Sequence, residues 1–168
     1  PPIYLATLRN KMLQLATDIS EGAIWANASL SHMAQQLSEI PNAVRDDFFL
    51  ANMIPTVIDD DIEAARAVNR RTLTGYVSLP NYRNYWRAAG YVEEMDAIEA
   101  AIEAGNKDIL PSLMSDKWLD DNTISGSASH VRARFEEWAH AGVTPIAVMS
   151  STTGGQVKAI NQLFDVYN

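Results

Sequence analysis

Three short segments of this chain combine polar side chains with a point at which an apolar run gives way to a helical pattern. The first is Thr7-Leu8-Arg9-Asn10-Lys11, directly after Ile3-Tyr4-Leu5-Ala6. A helix N-terminus offers unbonded N–H groups and the positive end of a dipole, and so attracts anions. Arg9 and Lys11 add charge of the same sign. The segment reads either as a phosphate cradle or as an ordinary turn with solvated cations, and it has no Gly-rich fingerprint. The second segment is Ser150-Ser151-Thr152-Thr153-Gly154-Gly155-Gln156. Its hydroxyls and paired glycines could form an anion nest, or Thr153 could simply cap the helix that follows. The third is Asn27-Ala28-Ser29, after the apolar run Ala23-Ile24-Trp25-Ala26. Parallel α/β sheets bind ligands at this end of their strands. Asn52 shares the polarity but lies inside an apolar run, where a hydrogen-bonded core amide accounts for it equally well.

The remaining candidates have plainer explanations. Tyr82, Tyr85 and Trp86, interleaved with Arg83 and Arg87, have the composition of a base-stacking surface. The formal net charge of −8 opposes that use, so packing of a long helical segment is the expected role. His32, His130 and His140 are too far apart to suggest a metal site. His32 is the one placed to reach a site after the second run. Asp59-Asp60-Asp61 reads as a helix-capping acidic run. There is no G-x-S-x-G elbow and no catalytic triad. Acidity also argues against nucleic acid and anionic membranes as partners, while leaving room for one local cationic pocket. The chain has no Cys, which fits a reducing cytoplasm. No apolar run reaches the length of a membrane span.

The elements that must position these residues follow from the apolar pattern. Ile3–Ala6, Ala23–Ala26, Phe48–Ile54 and Pro145–Met149 are near-continuous apolar runs, as expected of strands buried in a parallel sheet. Helical stripes separate them: Met12, Leu15, Ala16 and Ile19; Met33 and Leu37; Ile62, Ala65 and Val68; Met95, Ile98 and Ile102; Val131, Phe135 and Trp138; Val157, Ile160 and Phe164. The expected order is βαβαβ, a long helical stretch, then βα. The third connection, from about residue 58 to 143, is far longer than a normal crossover and includes a polar break over residues 120–129. This pattern suits a small open α/β sheet or half of an eight-stranded barrel, and periodicity does not choose between them.

The stretch "PIYLATLRNKMLQLATDISEGAIWAN" resembles the mid-chain segment of the bacterial luciferase-like flavin-dependent monooxygenase family. "IDDDIEAARAVNRRTLTGYVSLPNYRNYWRAAGY" is similar to that family's D-x-x-x-A-R helix and tyrosine-rich continuation. "ISGSASHVRARFEEWAHAGVTPIAVM" is similar to its G-S/T-x-x-x-V-R-x-R helix, AGV turn and final strand. The resemblance spans essentially the whole chain and rests on the order and spacing of these motifs together.

The resemblance implies an α/β fold in which this chain is the C-terminal half, strands five to eight, of a TIM-type (βα)8 barrel. Residues 1–168 would be one partial domain with a helical insertion at about 59–128, its 110–128 part serving as cover. It implies a flavin-dependent oxidoreductase acting on a small organic substrate, using FMN or a deazaflavin of the coenzyme F420 type. In the family the loop after strand five contacts the cofactor phosphate; here that loop is Thr7, Leu8, Arg9 and Asn10. Asn27 and Ser29 would lie near the ring or substrate. Deazaflavin-using members often carry Gly-Pro where this chain has Arg9-Asn10, a departure that counts against the deazaflavin and leaves FMN open. The expected partner is the N-terminal half-barrel or a second copy, the expected location the cytoplasm, and the intact protein an oligomer. The alternative reading is a non-catalytic flavin- or phosphate-binding α/β protein.

Overall fold

In the computed structural model, residues 1–41 and 47–167 are described. The four expected strands form as β1 (Tyr4–Ala6), β2 (Gly22–Ala26), β3 (Phe49–Ile58) and β5 (Thr144–Ser150). A fifth, β4 (Ile124–Gly126), falls inside the stretch expected to be a polar break. Three residues of the composition Ile-Ser-Gly carry no periodic signal. Pairing with β3 makes this strand, and Asn69 supports it with one amide group, donating to Ile124 O at 3.2 Å and Ser125 Oγ at 2.9 Å.

All five strands are parallel. β3 is central. Thr56 and Val57 are in register with both β4 and β5, so those two lie on opposite edges of β3. Ala51–Met53 are likewise in register with both β2 and β5. β4 therefore continues the sheet beyond the end of β2. Gly22 allows β1, β2 and β3 to approach closely. A Cβ there would stand 2.4 Å from Phe49 O, and the Tyr4 and Phe49 rings meet across it at 4.7 Å.

Helices α1 (Asn10–Ile19), α2 (Leu30–Ser38), α7 (Ala128–His140) and α8 (Gly155–Asp165) follow β1, β2, β4 and β5. Between β3 and β4 the chain inserts α3 (Ile62–Val77), α4 (Pro80–Ala88), α5 (Val92–Glu103), a 3-10 stretch Lys107–Leu113, and α6 (Asp116–Asn122). Local chemistry sets the boundaries. Asp61 caps α3 by accepting from the Glu63 and Ala64 amides, both at 3.1 Å. Pro80 opens α4, where its missing N–H costs nothing. Ser115 and Ser127 cap α6 and α7.

Strand residues alternate between two faces. One face, with Ala23, Trp25, Asn52 and Ile54, is buried under the helices. The other, with Tyr4, Ala6, Ile24, Ala26, Met53, Ile146 and Val148, is only partly covered. Tyr4 is 40% exposed and Met53 42%. All four Trp side chains are fully buried on the covered side or under the insertion.

The flanking helices depart from expectation. The stripe Met12, Leu15, Ile19 of α1 faces outward, while Leu13 and Ala16 turn inward. The stripe Val157, Ile160, Phe164 of α8 also faces outward, leaving only Ala159 buried. Both helices therefore present their apolar side away from this sheet. No helix among the described residues is long and apolar enough to cross a membrane.

Candidate functional site

The C-terminal ends of the strands carry the loops singled out above. Thr7 extends the β1 ladder, its amide donating to Ile24 O at 2.8 Å. Its hydroxyl is buried without a hydrogen-bond partner. Leu8 is half-buried on the core, and its carbonyl accepts from Gln36 Nε2 at 3.1 Å. Arg9 occupies the N-cap of α1 in extended conformation, with no side-chain cap bond. Arg9, Asn10 and Lys11 are exposed, and among the described residues neither cation has an ion-pair partner. The start of α1 is thus an uncapped positive dipole end flanked by two unneutralised side chains.

The loop after β2 is built differently. Asn27 adopts φ +58, a left-handed conformation seldom used by non-glycine residues. The inserted helices hold it there. Trp86 Nε1 donates to Asn27 O at 3.2 Å and to Asn122 Oδ1 at 2.8 Å. Ser29 Oγ donates to the same Asn122 oxygen at 2.6 Å, and the Ser29 amide donates to Tyr85 Oη at 3.0 Å. Asn52 Oδ1 accepts from the Ala28 amide at 3.3 Å. Asn27 and Ser29 are therefore buried, and the Ser29 hydroxyl is committed to α6. The amide nitrogens of Asn27 and Asn52 are buried without partners, which gives this network unfilled donors beneath the rim.

Gln36 and Tyr85 join the two loops. Tyr85 Oη donates to Gln36 Oε1 at 3.3 Å, and Gln36 in turn holds Leu8. Burial pushes the Tyr85 hydroxyl far above its ordinary pKa, so it remains a neutral donor. Sequence reading identified Tyr85 and Trp86 as packing aromatics but missed their polar ends, together with Gln36 and Asn122. The only signal available was the pairing of amide and aromatic residues within helical stripes.

The third segment, after β5, sits in an acidic setting. Gly154, not Thr153, caps α8, and both Gly154 and Gly155 have positive φ (85° and 75°). Thr152 Oγ1 donates to Asp59 Oδ2 at 2.5 Å, and Lys158 Nζ donates to Thr153 Oγ1 at 2.9 Å. The three-aspartate run divides by role. Asp61 caps α3, Asp60 is exposed, and Asp59 ties the β3 loop to the β5 loop. The hydrogen bond from Thr152 holds the Asp59 carboxyl below its usual range. Two cations, Arg9 and Lys11, lie at the β1 end of the rim, and the three carboxylates with Lys158 lie at the β3–β5 end. His130 and His140 are exposed on α7, and no cluster of potential metal ligands occurs among the described residues.

Two solved structures share this fold. The tetrahydromethanopterin reductase dependent on coenzyme F420 from Methanopyrus kandleri superposes with a TM-score of 0.73 at 20% identity, over 98% of this chain and 49% of that one. An F420-dependent secondary alcohol dehydrogenase, solved with an F420-acetone adduct, gives 0.65 at 16% identity, over 98% and 47%. This chain spans about half the length of either structure. No curated protein sequence matches it. Residues 1–145 match the luciferase-like monooxygenases. With the parallel sheet of a partial TIM-type barrel, this chain belongs to the luciferase-like monooxygenase family.

Proposed function

We propose that this chain supplies the C-terminal half of the cofactor-holding barrel of a flavin- or deazaflavin-dependent oxidoreductase. The observation that carries the reading is the start of α1, with unneutralised Arg9 and Lys11 beside the buried, unpartnered Thr7 hydroxyl. An uncapped helix N-terminus with adjacent cations fits a phosphate group. Thr7, Arg9 and the amides of Asn10 and Lys11 would hold the cofactor's phosphate, and Leu8 is fixed by Gln36 so that the loop keeps its shape. Asn27 and Ser29 act on the ring or substrate through the backbone that the Trp86–Asn122 clamp fixes. A bound deazaflavin or reduced flavin supplies the redox chemistry; the protein positions it and keeps water out. The F420 dependence of both similar structures favours the deazaflavin. The substrate is a small organic molecule taken at the half-open sheet face around Met53.

Closure of that face is part of the reading. β1 and β5 each pair on one side only among the described residues. A complementary half-barrel would pair both edges and cover the outward stripes of α1 and α8. Titration of the intact protein with FMN and with coenzyme F420, followed by cofactor fluorescence, tests the function. Binding of one of them at about micromolar Kd is expected. Failure of both to bind at that level overturns the proposal.

A further inference from the structure

Four groups form one hydrogen-bonded line from the loop after β2 to the loop after β1. The Ser29 amide donates to Tyr85 Oη at 3.0 Å, Tyr85 Oη donates to Gln36 Oε1 at 3.3 Å, and Gln36 Nε2 donates to Leu8 O at 3.1 Å. Ser29, Tyr85 and Gln36 are all fully buried. Chemistry fixes the order. Leu8 O can only accept, so the Gln36 nitrogen must face it and the Gln36 oxygen must face Tyr85. Every donor therefore points toward Leu8, and aligned bonds in a poorly solvated interior strengthen one another. The line ends on the peptide between Leu8 and Arg9, which is trans. With its carbonyl held by Gln36, its N–H faces the opposite way. That Arg9 N–H has no hydrogen-bond partner among the described residues. At the other end, Asn27 O is held by Trp86 and Ser29 Oγ by Asn122.

We propose that Gln36 and Tyr85 are positioning residues that couple the two loops, so that an anion received by the Arg9 N–H also tightens the Asn27–Ser29 segment. The inference rests on the cofactor reading above and adds a regulation to that site: the phosphate sets the geometry of the loop beside the ring. An anion accepting from the Arg9 N–H polarises the Leu8–Arg9 peptide and makes Leu8 O a stronger acceptor. The bonds from Gln36, Tyr85 and Ser29 then tighten in turn.

The test uses the intact protein and two ligands that differ only in phosphate: FMN and riboflavin, or the deazaflavin head with and without its phosphate, whichever pair binds. Amide hydrogen exchange over residues 27–29 is followed by NMR, and Kd by cofactor fluorescence. The phosphate-bearing ligand should slow exchange at 27–29 several-fold beyond the phosphate-free one. Tyr85→Phe keeps the ring edge-on to His32 and removes only the hydroxyl. It should abolish that extra protection and cut the affinity gained from phosphate about fivefold. Gln36→Met should do the same, and the two together should cost no more than either one. Equal protection at 27–29 by both ligands in the wild type overturns the inference and leaves the cofactor reading intact. So does an equal loss of affinity for both ligands in Tyr85→Phe, or additive losses in the double variant, since these mark a purely structural role. If neither pair binds, both readings fall.

Discussion

The insertion and the flanks of this molecule bury their residues in opposite ways. Helices α3 to α6 turn their stripes inward: Leu73, Val77, Tyr85, Trp86, Met95, Ile98 and Trp118 are all buried. Many of their polar groups are paired as well, while Asn69 Oδ1, Arg83 Nε and Trp118 Nε1 are buried without partners. Arg83 donates to Val77 O and Glu99, Arg66 bridges Glu63 and Asp120, and Asn122 joins Ser29 to Trp86. The flanking helices α1 and α8 do the reverse. Met12, Leu15, Ile19, Val157, Ile160 and Phe164 are exposed by 41% to 74%. Next to them, the outer edges of β1 and β5 have no strand neighbour among the described residues. Burying a large apolar side chain is worth about 1.5–3 kcal/mol. Six such side chains in two stripes, beside two open edges, form a seam of the kind the proposed complementary half-barrel would cover. The insertion closes on itself, whereas the flanks leave apolar side chains uncovered.

This contrast can be tested by substitution. The largest effect is expected in the insertion, for Trp86→Ala. That change removes a buried ring set edge-on against Trp118 at 4.9 Å and leaves Asn27 O without its donor. Urea denaturation should show a loss of about 3–5 kcal/mol. Asn122→Ala is expected to cost about 1–3 kcal/mol, because Ser29 Oγ and Trp86 Nε1 lose their shared acceptor in a buried site. Adding Ser29→Ala should cost less in that background than in the wild type, a non-additivity that a double-mutant cycle reads directly. Equal costs in both backgrounds would break the clamp.

On the flanks, Phe164→Lys should change the stability of the separate 168-residue chain by no more than about 0.5 kcal/mol, since the ring is 66% exposed. The same change should weaken any assembly of this chain with a partner segment, measured by analytical ultracentrifugation. A flank substitution as costly as Trp86→Ala would remove the distinction between the two regions. The smallest effect concerns Asp59. Thr152 holds its carboxyl below the ordinary value of 3.8, so the folded state takes up this proton less readily than the unfolded chain. Its stabilising contribution is complete above that value and is lost as pH falls through the lower folded one. Thr152→Val should therefore flatten the decline of Tm between about pH 5 and pH 3.

The sequence reading found the helix–strand order, the parallel sheet and the β1 loop, because long apolar runs and helical stripes report burial directly. It missed β4, whose three residues form a strand by pairing with β3, far away in sequence. It identified α1 and α8 by their stripes, yet those stripes face out. Periodicity marks an apolar face without saying which neighbour covers it. The site was legible in part. Arg9 and Lys11 stood out as charges at a helix start. Gln36 and Asn122, which fix the loops, gave no signal because amide networks depend on contacts between residues distant in sequence. Asn122 and Ser29 are 93 positions apart.

The open seam between α1, α8 and the strand edges is tested most directly by native mass spectrometry of the 168-residue chain. A population carried in species heavier than 18.5 kDa, paired with a second copy or a complementary segment, is the predicted result. A single 18.5 kDa monomer that stays soluble and unfolds in one sharp transition would contradict it, and would make this sheet complete as it stands.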